Sequence, residues 1–184
     1  MTDLPIGLIM GLKYAFQSAK KRIEALDEAE RATLQAICRD IHLAQVALSE
    51  KAVPLLQRCM TDCQGLCCRR IDPDDIITEW DLLFILAVAP QVEAAMADCI
   101  AKEPFFAADC IFLENGTGPC LFPDNLRPER CIISFCRVEP TIEAEISRVM
   151  GGFSRLIRFF RLRPLRRLKV KLMPLRHVRP SKIR

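Results

Sequence analysis

Eight cysteines in two clusters constrain this chain more than any other feature of it. Cys59, Cys63, Cys67 and Cys68 stand in a Cys-x3-Cys-x3-Cys-Cys run followed at once by Arg69-Arg70. Cys110, Cys120, Cys131 and Cys136 come after a helical stretch whose one cysteine is Cys99. A run of thiols followed by a return brings distant thiolates to one metal ion or cluster. Geometry limits the first cluster, because positions 59, 63 and 67 share one face of a helix. An unbroken helix would hold the Cα atoms of Cys59 and Cys67 about 12 Å apart. Thiolates that reach a shared zinc at roughly 2.3 Å cannot span that distance. If all three bind together the helix must break, and Gly65 is where the chain can curl. The alternative is a buried stripe of cysteines, which pack well as small hydrophobes; it leaves Cys68 and the second cluster unexplained.

The second cluster carries its own scaffold. Cys110-Ile-Phe-Leu predicts a short strand, Asn115-Gly116 a hairpin turn, and Cys120-Leu-Phe the returning strand. Pro128 then fits the first position of a helix, with Glu129 at its positive end. Cys131 falls in the first turns, where the helix dipole favours the thiolate that metals need. Cys136 lies five residues on, so an unbroken helix would turn it about 140° away from Cys131.

These residues resemble the YkgJ-like cysteine-cluster family, zinc- or iron-chelating domains with a CxxCxxCC signature. The resemblance rests on Cys63 to Cys68, on the Cys110-x-Phe-Leu segment with its Gly-x-Cys return, and on Arg127-Pro128-x-x-Cys131. It covers roughly residues 59 to 136. The first spacing is looser than the family's, and Ile132 stands where an arginine often follows. Flagellin lysine methylases carry a similar cysteine pattern on a longer chain. The resemblance implies a metal bound through Cys63, Cys67, Cys68, Cys110, Cys120 and Cys131, with Cys59 and Cys136 as additions.

Apolar residues make up 51% of the 184, enough for one packed domain. Met1-Thr2-Asp3 carries no positive charge ahead of its apolar stretch, so no signal peptide is predicted. The longest apolar run, residues 82 to 90, is far below a membrane span. These features predict a cytoplasmic protein with no transmembrane segment, where clustered thiols mean metal or redox chemistry more often than disulfides.

Helical periodicity predicts one helix with Leu8, Leu12, Ala15, Phe16 and Ala19 on its inner face. It predicts a second over about 27 to 56, with Leu34, Ile37, Ile41, Val46 and Leu48 inward and Pro54 perturbing its last turns. Cys38 and His42, at i and i+4, are more simply packing residues than a metal pair. Asp72-Pro73-Asp74-Asp75 starts a third helix, expected over 73 to 89 with Trp80 as a core anchor. A fourth is expected over 91 to 102, burying Cys99.

Charge is segregated. Residues 1 to 147 hold 14 basic against 23 acidic residues, a net of −9, whereas residues 148 to 184 hold 13 basic residues and no acidic one. This predicts a helical cysteine-cluster domain over 1 to 147 and a basic C-terminal helix and arm over 148 to 184. The arm suits an acidic protein partner or an anionic membrane surface. Its interleaved Phe153, Leu156, Ile157, Phe159, Phe160 and Leu162 make nucleic acid the poorer fit. The plainer alternative packs that apolar half on the core.

No Gly-rich phosphate loop is present, and His42 and His177 complete no hydrolytic triad. The Cys-x3-Cys-x3-Cys run is one residue too long for the radical enzymes that use S-adenosylmethionine, and the strand–helix alternation of their barrel is missing. No catalytic residue is assigned. The expected fold is mainly α with a small β-hairpin, a helical domain around an all-cysteine metal site. Soft thiolates select an iron–sulfur cluster of the [4Fe–4S] type or zinc. Three functions remain open: a metal-binding or electron-transfer module, a metal-dependent protein-modifying enzyme similar to the flagellin lysine methylases, and a zinc-stapled interaction module.

Overall fold

The computed structural model describes residues 11–61, 72–102, 110–114, 119–135 and 140–172, with side chains for all of these except 58–61 and 165–172. Among the described residues the helices are α1 Leu12–Glu24, α2 Glu28–Thr61, α3 Pro73–Ile76, α4 Glu79–Val88, α5 Glu93–Ala101, α6 Glu129–Ile133 and α7 Pro140–Leu172, with a 3₁₀ turn Pro90–Val92 before α5.

The frame is the pair α2 and α7, 34 and 33 residues long, each about 50 Å at 1.5 Å per residue. Their apolar stripes face one core: Leu34, Cys38, Ile41 and Leu48 on α2, and Ile142, Val149, Phe153, Leu156 and Phe160 on α7. Both follow the three-to-four-residue spacing of an amphipathic helix. The helices run antiparallel, as three cross-pairs record: Lys51 with Glu145 at 2.6 Å, Asp40 with Arg155 at 3.2 Å and Glu30 with Arg163 at 2.9 Å. Glu145 is only 2% exposed. The Lys51 hydrogen bond holds its carboxyl below the ordinary value, against the opposing cost of burial. At Gly152 the helices approach so closely that a Cβ would lie 2.6 Å from Cγ1 of Ile41.

The helix α4 has no polar face. Leu82, Leu83, Phe84 and Ile85 are all fully buried, as a helix apolar on every side must be, and α4 packs against α1, α2 and α7. Phe84 meets Phe153 edge-on at 5.3 Å, and Trp80 meets Phe160 at 5.7 Å with the Arg22 guanidinium 5.1 Å above its ring. Gly11 has no side chain to cap α1, and Asp74 does so from a distance, accepting the Leu12 N–H at 2.6 Å. Ser18 and Arg22 of α1 both donate to Glu79 at the start of α4. The acidic run after residue 71 thus fastens α1 to the centre as well as opening α3.

The expected β-hairpin does not form. Among the described residues no strand is present, and the two arms meet in one isolated antiparallel bridge between Leu113 and Cys120. Leu113 N–H turns back to the Cys110 carbonyl at 3.0 Å, which bends the first arm where a strand needs it extended. Pro119 accepts from Glu114 N–H at 3.1 Å but has no N–H to return, and a ladder cannot extend through it. Phe112 and Phe122 are both buried, their rings tilted against each other at 4.9 Å, so the arms are held by the core. The Asn115-Gly116 turn lies outside the described residues.

The helix expected over 73 to 89 is two. Ile77 is extended, and Thr78 caps α4 with a capping box in which Thr78 and Asp81 each bond the other's backbone N–H. That local arrangement satisfies two orphan donors and so restarts the helix. Pro54 does not end α2, which continues to Thr61; the residue is exposed. On α7, Phe153, Leu156, Phe159 and Phe160 belong to the core, which removes them from any contact with a partner. The helix passes through residues 147 and 148 without interruption. Among the described residues no single helix is long and apolar enough to cross a membrane.

Adjacent glycines on α7 give a paired test. Gly152→Ala should destabilise the protein by about 1–3 kcal/mol through overpacking against Ile41. Gly151→Ala, whose Cβ meets nothing within 4 Å, should be neutral or stabilising by up to about 1 kcal/mol. Urea denaturation reads both, and equal effects at the two positions would contradict the close crossing.

Candidate metal centre

Four of the predicted ligands, Cys63, Cys67, Cys68 and Cys136, lie outside the described residues, as does Gly65. Cys59 lies in the last turn of α2 as described. Cys110, Cys120 and Cys131 are each half-buried. Cys110 opens the turn before the Leu113–Cys120 bridge, so it and Cys120 belong to one small backbone unit. Cys131 is the third residue of α6, in the first turn as the sequence predicts. Pro128 stands one position earlier than expected, at the cap. The helix stops at Ile133, where Ser134 is extended.

The segment that bears Cys120 and Cys131 has little secondary structure of its own, and buried polar side chains hold it. Gln45 of α2, fully buried, donates from Nε2 to the Arg127 carbonyl at 2.8 Å and accepts the Arg127 N–H on Oε1 at 3.0 Å. One side-chain amide thereby completes both backbone groups of residue 127, as a neighbouring strand would. His42, one turn earlier, places Nδ1 2.9 Å from the Asn125 carbonyl. From α4, Asp81 accepts the Glu129 N–H on Oδ1 at 2.6 Å. Its other oxygen accepts from the Thr78 N–H at 2.8 Å and the Thr78 hydroxyl at 2.6 Å. Burial pushes the Asp81 carboxyl up, and these donors pull against that shift. Glu129 is raised by its own burial and then by the Asp81 charge, with Arg130 opposing.

Sequence reasoning did not single out Gln45 or Asp81. The Thr78-x-x-Asp81 pattern was legible as a capping box. Gln45 was visible as a polar residue on the stripe of Ile41 and Leu48, with nothing to say that its partner was a backbone 82 residues away.

The remaining cysteines differ in kind. Cys38 is 1% exposed and burial pushes its thiol up to about 12, so it packs as a core residue and does not offer a thiolate. With Cys38 sealed in this way, a Cys38–His42 metal pair has no thiolate to offer. The Cys99 thiol is also raised by burial, with Lys102 opposing, and it packs against the core. Among the described residues no three of His, Cys, Asp and Glu converge to hold a metal ion. The described residues therefore do not assemble the all-cysteine site expected at the heart of the fold. Of the eight candidate cysteines, Cys120 and Cys131 flank the clamped stretch, Cys110 opens the turn bridged to Cys120, Cys59 is on α2, and the other four fall in the stretches not described.

Asp81→Asn should cost about 1–3 kcal/mol, because an amide cannot accept from both the Thr78 and Glu129 N–H groups at once. The effect should be local as well as global: amide exchange at Glu129 and through α6 should accelerate first. Unchanged protection at Glu129 would show that Asp81 does not hold the segment.

No family model matches the chain, and no solved structure matches it.

Proposed function

We propose that this protein holds a thiolate-bound metal centre, an iron–sulfur cluster of the [4Fe–4S] type or zinc, through Cys59, Cys63, Cys67, Cys68, Cys110, Cys120, Cys131 and Cys136. One observation carries the reading. Cys38 is sealed into the core, whereas Cys120 and Cys131 sit half-buried on either side of the stretch that His42, Gln45 and Asp81 pin by its backbone, and half-buried Cys110 opens the turn that joins it through the Leu113–Cys120 bridge. Burying Gln45 and Asp81 to fix a short irregular segment costs desolvation that packing alone does not require. The cost is intelligible if that segment has to present particular side chains. Thiolates are soft donors suited to zinc and iron–sulfur chemistry. Supply of donors is all that is assigned to these residues; no reaction is derived from them.

Anaerobic purification followed by metal analysis and a visible spectrum tests the reading. Stoichiometric iron with absorbance near about 400 nm is expected for a cluster, and stoichiometric zinc in colourless protein for the alternative. Cys131→Ser should lower the metal content while Cys38→Ala leaves it intact. Metal content near zero in unoxidised protein, or equal loss from both variants, would refute the proposal.

The basic segment from residue 164 onward is proposed to meet an anionic partner, an acidic protein or an anionic membrane surface. Part of the positive run is already spent inside the molecule, since Arg155 pairs with Asp40, and Arg163 with Glu30 and the Ala25 carbonyl. Truncation before Pro164 should leave metal content unchanged and abolish salt-sensitive binding to anionic vesicles or to the acidic protein. Retained binding would place the contact elsewhere.

A further inference from the structure

On its outer side the α2–α7 pair leaves an open groove of about 520 Å³, lined by Asp40, Leu43, Ala44 and Ala47 of α2 and by Arg148, Gly151, Gly152 and Arg155 of α7. The lining follows the pattern i, i+3, i+4, i+7 on both helices. That is the seam along which a further helix sets its side chains between those of its neighbours. The floor is small, being two alanines and two glycines. A Cβ at Gly151 would meet nothing within 4 Å, so the absence of a side chain there is not forced by the core. Small residues at such a seam let a third helix approach to about 8 Å between axes. One edge is apolar where a soluble surface would normally be polar: Leu43 is 59% exposed.

Charge selects the occupant. Arg148 and Arg155 stand at the two ends of the groove with side chains 65% and 56% exposed. Asp40 is the one acid in the lining and already pairs with Arg155 at 3.2 Å. Arg148 has only a 3.6 Å contact with Glu145, which Lys51 holds more closely at 2.6 Å. Arg158, exposed one turn beyond Arg155, adds to the same field. No acidic residue follows position 147 anywhere in the chain, so beyond Glu145 α7 adds no anion to balance these cations.

We infer that this groove docks an acidic amphipathic helix of a partner protein, with its apolar seam on Ala44, Ala47 and Gly151. Carboxylates seven residues apart, about 10.5 Å along its axis, meet Arg148 and Arg155. None of the described cysteines lines the groove, so the inference stands apart from the metal centre. A second copy of this chain would bring the same excess of arginine to the contact and is disfavoured by its charge.

The test titrates two synthetic amphipathic helices into the full-length protein. One has a leucine–alanine seam and glutamates at i and i+7; the other has lysine in place of each glutamate. The acidic peptide should bind and its lysine counterpart should not. Gly151→Leu fills the groove without altering any charge, so the basic segment after residue 164 acts equally in both proteins. This variant should weaken binding at least about tenfold, equivalent to 1.4 kcal/mol, with a melting temperature no lower than that of the parent. Arg148→Glu should weaken the acidic peptide and strengthen the lysine one. The inference is overturned if both peptides bind alike, or if neither substitution changes binding. It is also overturned if the protein forms a dimer that Gly151→Leu abolishes, which would make a second copy the occupant.

Discussion

The approach of Gly152 to Ile41, where an added Cβ would come within 2.6 Å of Cγ1, sets the spacing of α2 and α7. Any side chain at residue 152 would push α2 and α7 apart, and the core between them and α4 would lose contact. That core is paid for by side chains such as Phe84 and Phe153, each fully buried and touching edge to face. Truncating an aromatic of this kind typically costs about 3–5 kcal/mol. With the spacing fixed, α2 serves three surfaces at once. Ile41 and Leu48 face the core, His42 and Gln45 hold the segment from 125 to 129, and Leu43, Ala44 and Ala47 open on the outer groove.

Two kinds of cysteine coexist in this fold, and physical setting separates them better than spacing does. Desolvation disfavours the thiolate at Cys38, which behaves as a slightly polar methyl-sized core group. The stretch between Cys120 and Cys131 is held by directional bonds to backbone groups. Such bonds fix position without demanding that the side chains themselves be buried. Gln45 and Asp81 are costly choices for a core, and a half-satisfied polar cluster would be worse than an apolar one. Both make bonds at each end of the side chain, so the cost is largely recovered as placement.

Much of the helical content was legible because its signals are local. The stripe Leu12, Ala15, Phe16, Ala19 and the proline–aspartate start at 72 to 75 each need only a few neighbouring residues. Thr78 shows how a local signal was overlooked beneath a stronger one: the apolar run after it was long enough to hide a cap in its middle. The hairpin failed for the converse reason. Asn115-Gly116 is a strong turn signal, but Pro119 withholds the donor that would have continued the ladder, and two phenylalanines drew the arms into the core. On α7 the arginines drew attention to the surface, while the phenylalanines spaced among them were answering the opposite face. Of the candidate metal centre, the ligand types were legible from the sequence. The side chains that hold their segment were not, because Gln45–Arg127 and Asp81–Glu129 join residues far apart in the chain.

The three ion pairs across α2 and α7 do not share one polarity. At two of them α2 supplies the acid, and at Lys51–Glu145 it supplies the base. Sliding one helix along the other by a turn is the ordinary way in which packed helices shear during a conformational change. Here such a step would carry Glu145, almost wholly enclosed, from Lys51 to Ala47 or Leu55, and no cation stands at either place. It would also drive the chain at Gly152 past the bulk of Ile41. The pair is therefore a rod rather than a sliding bearing.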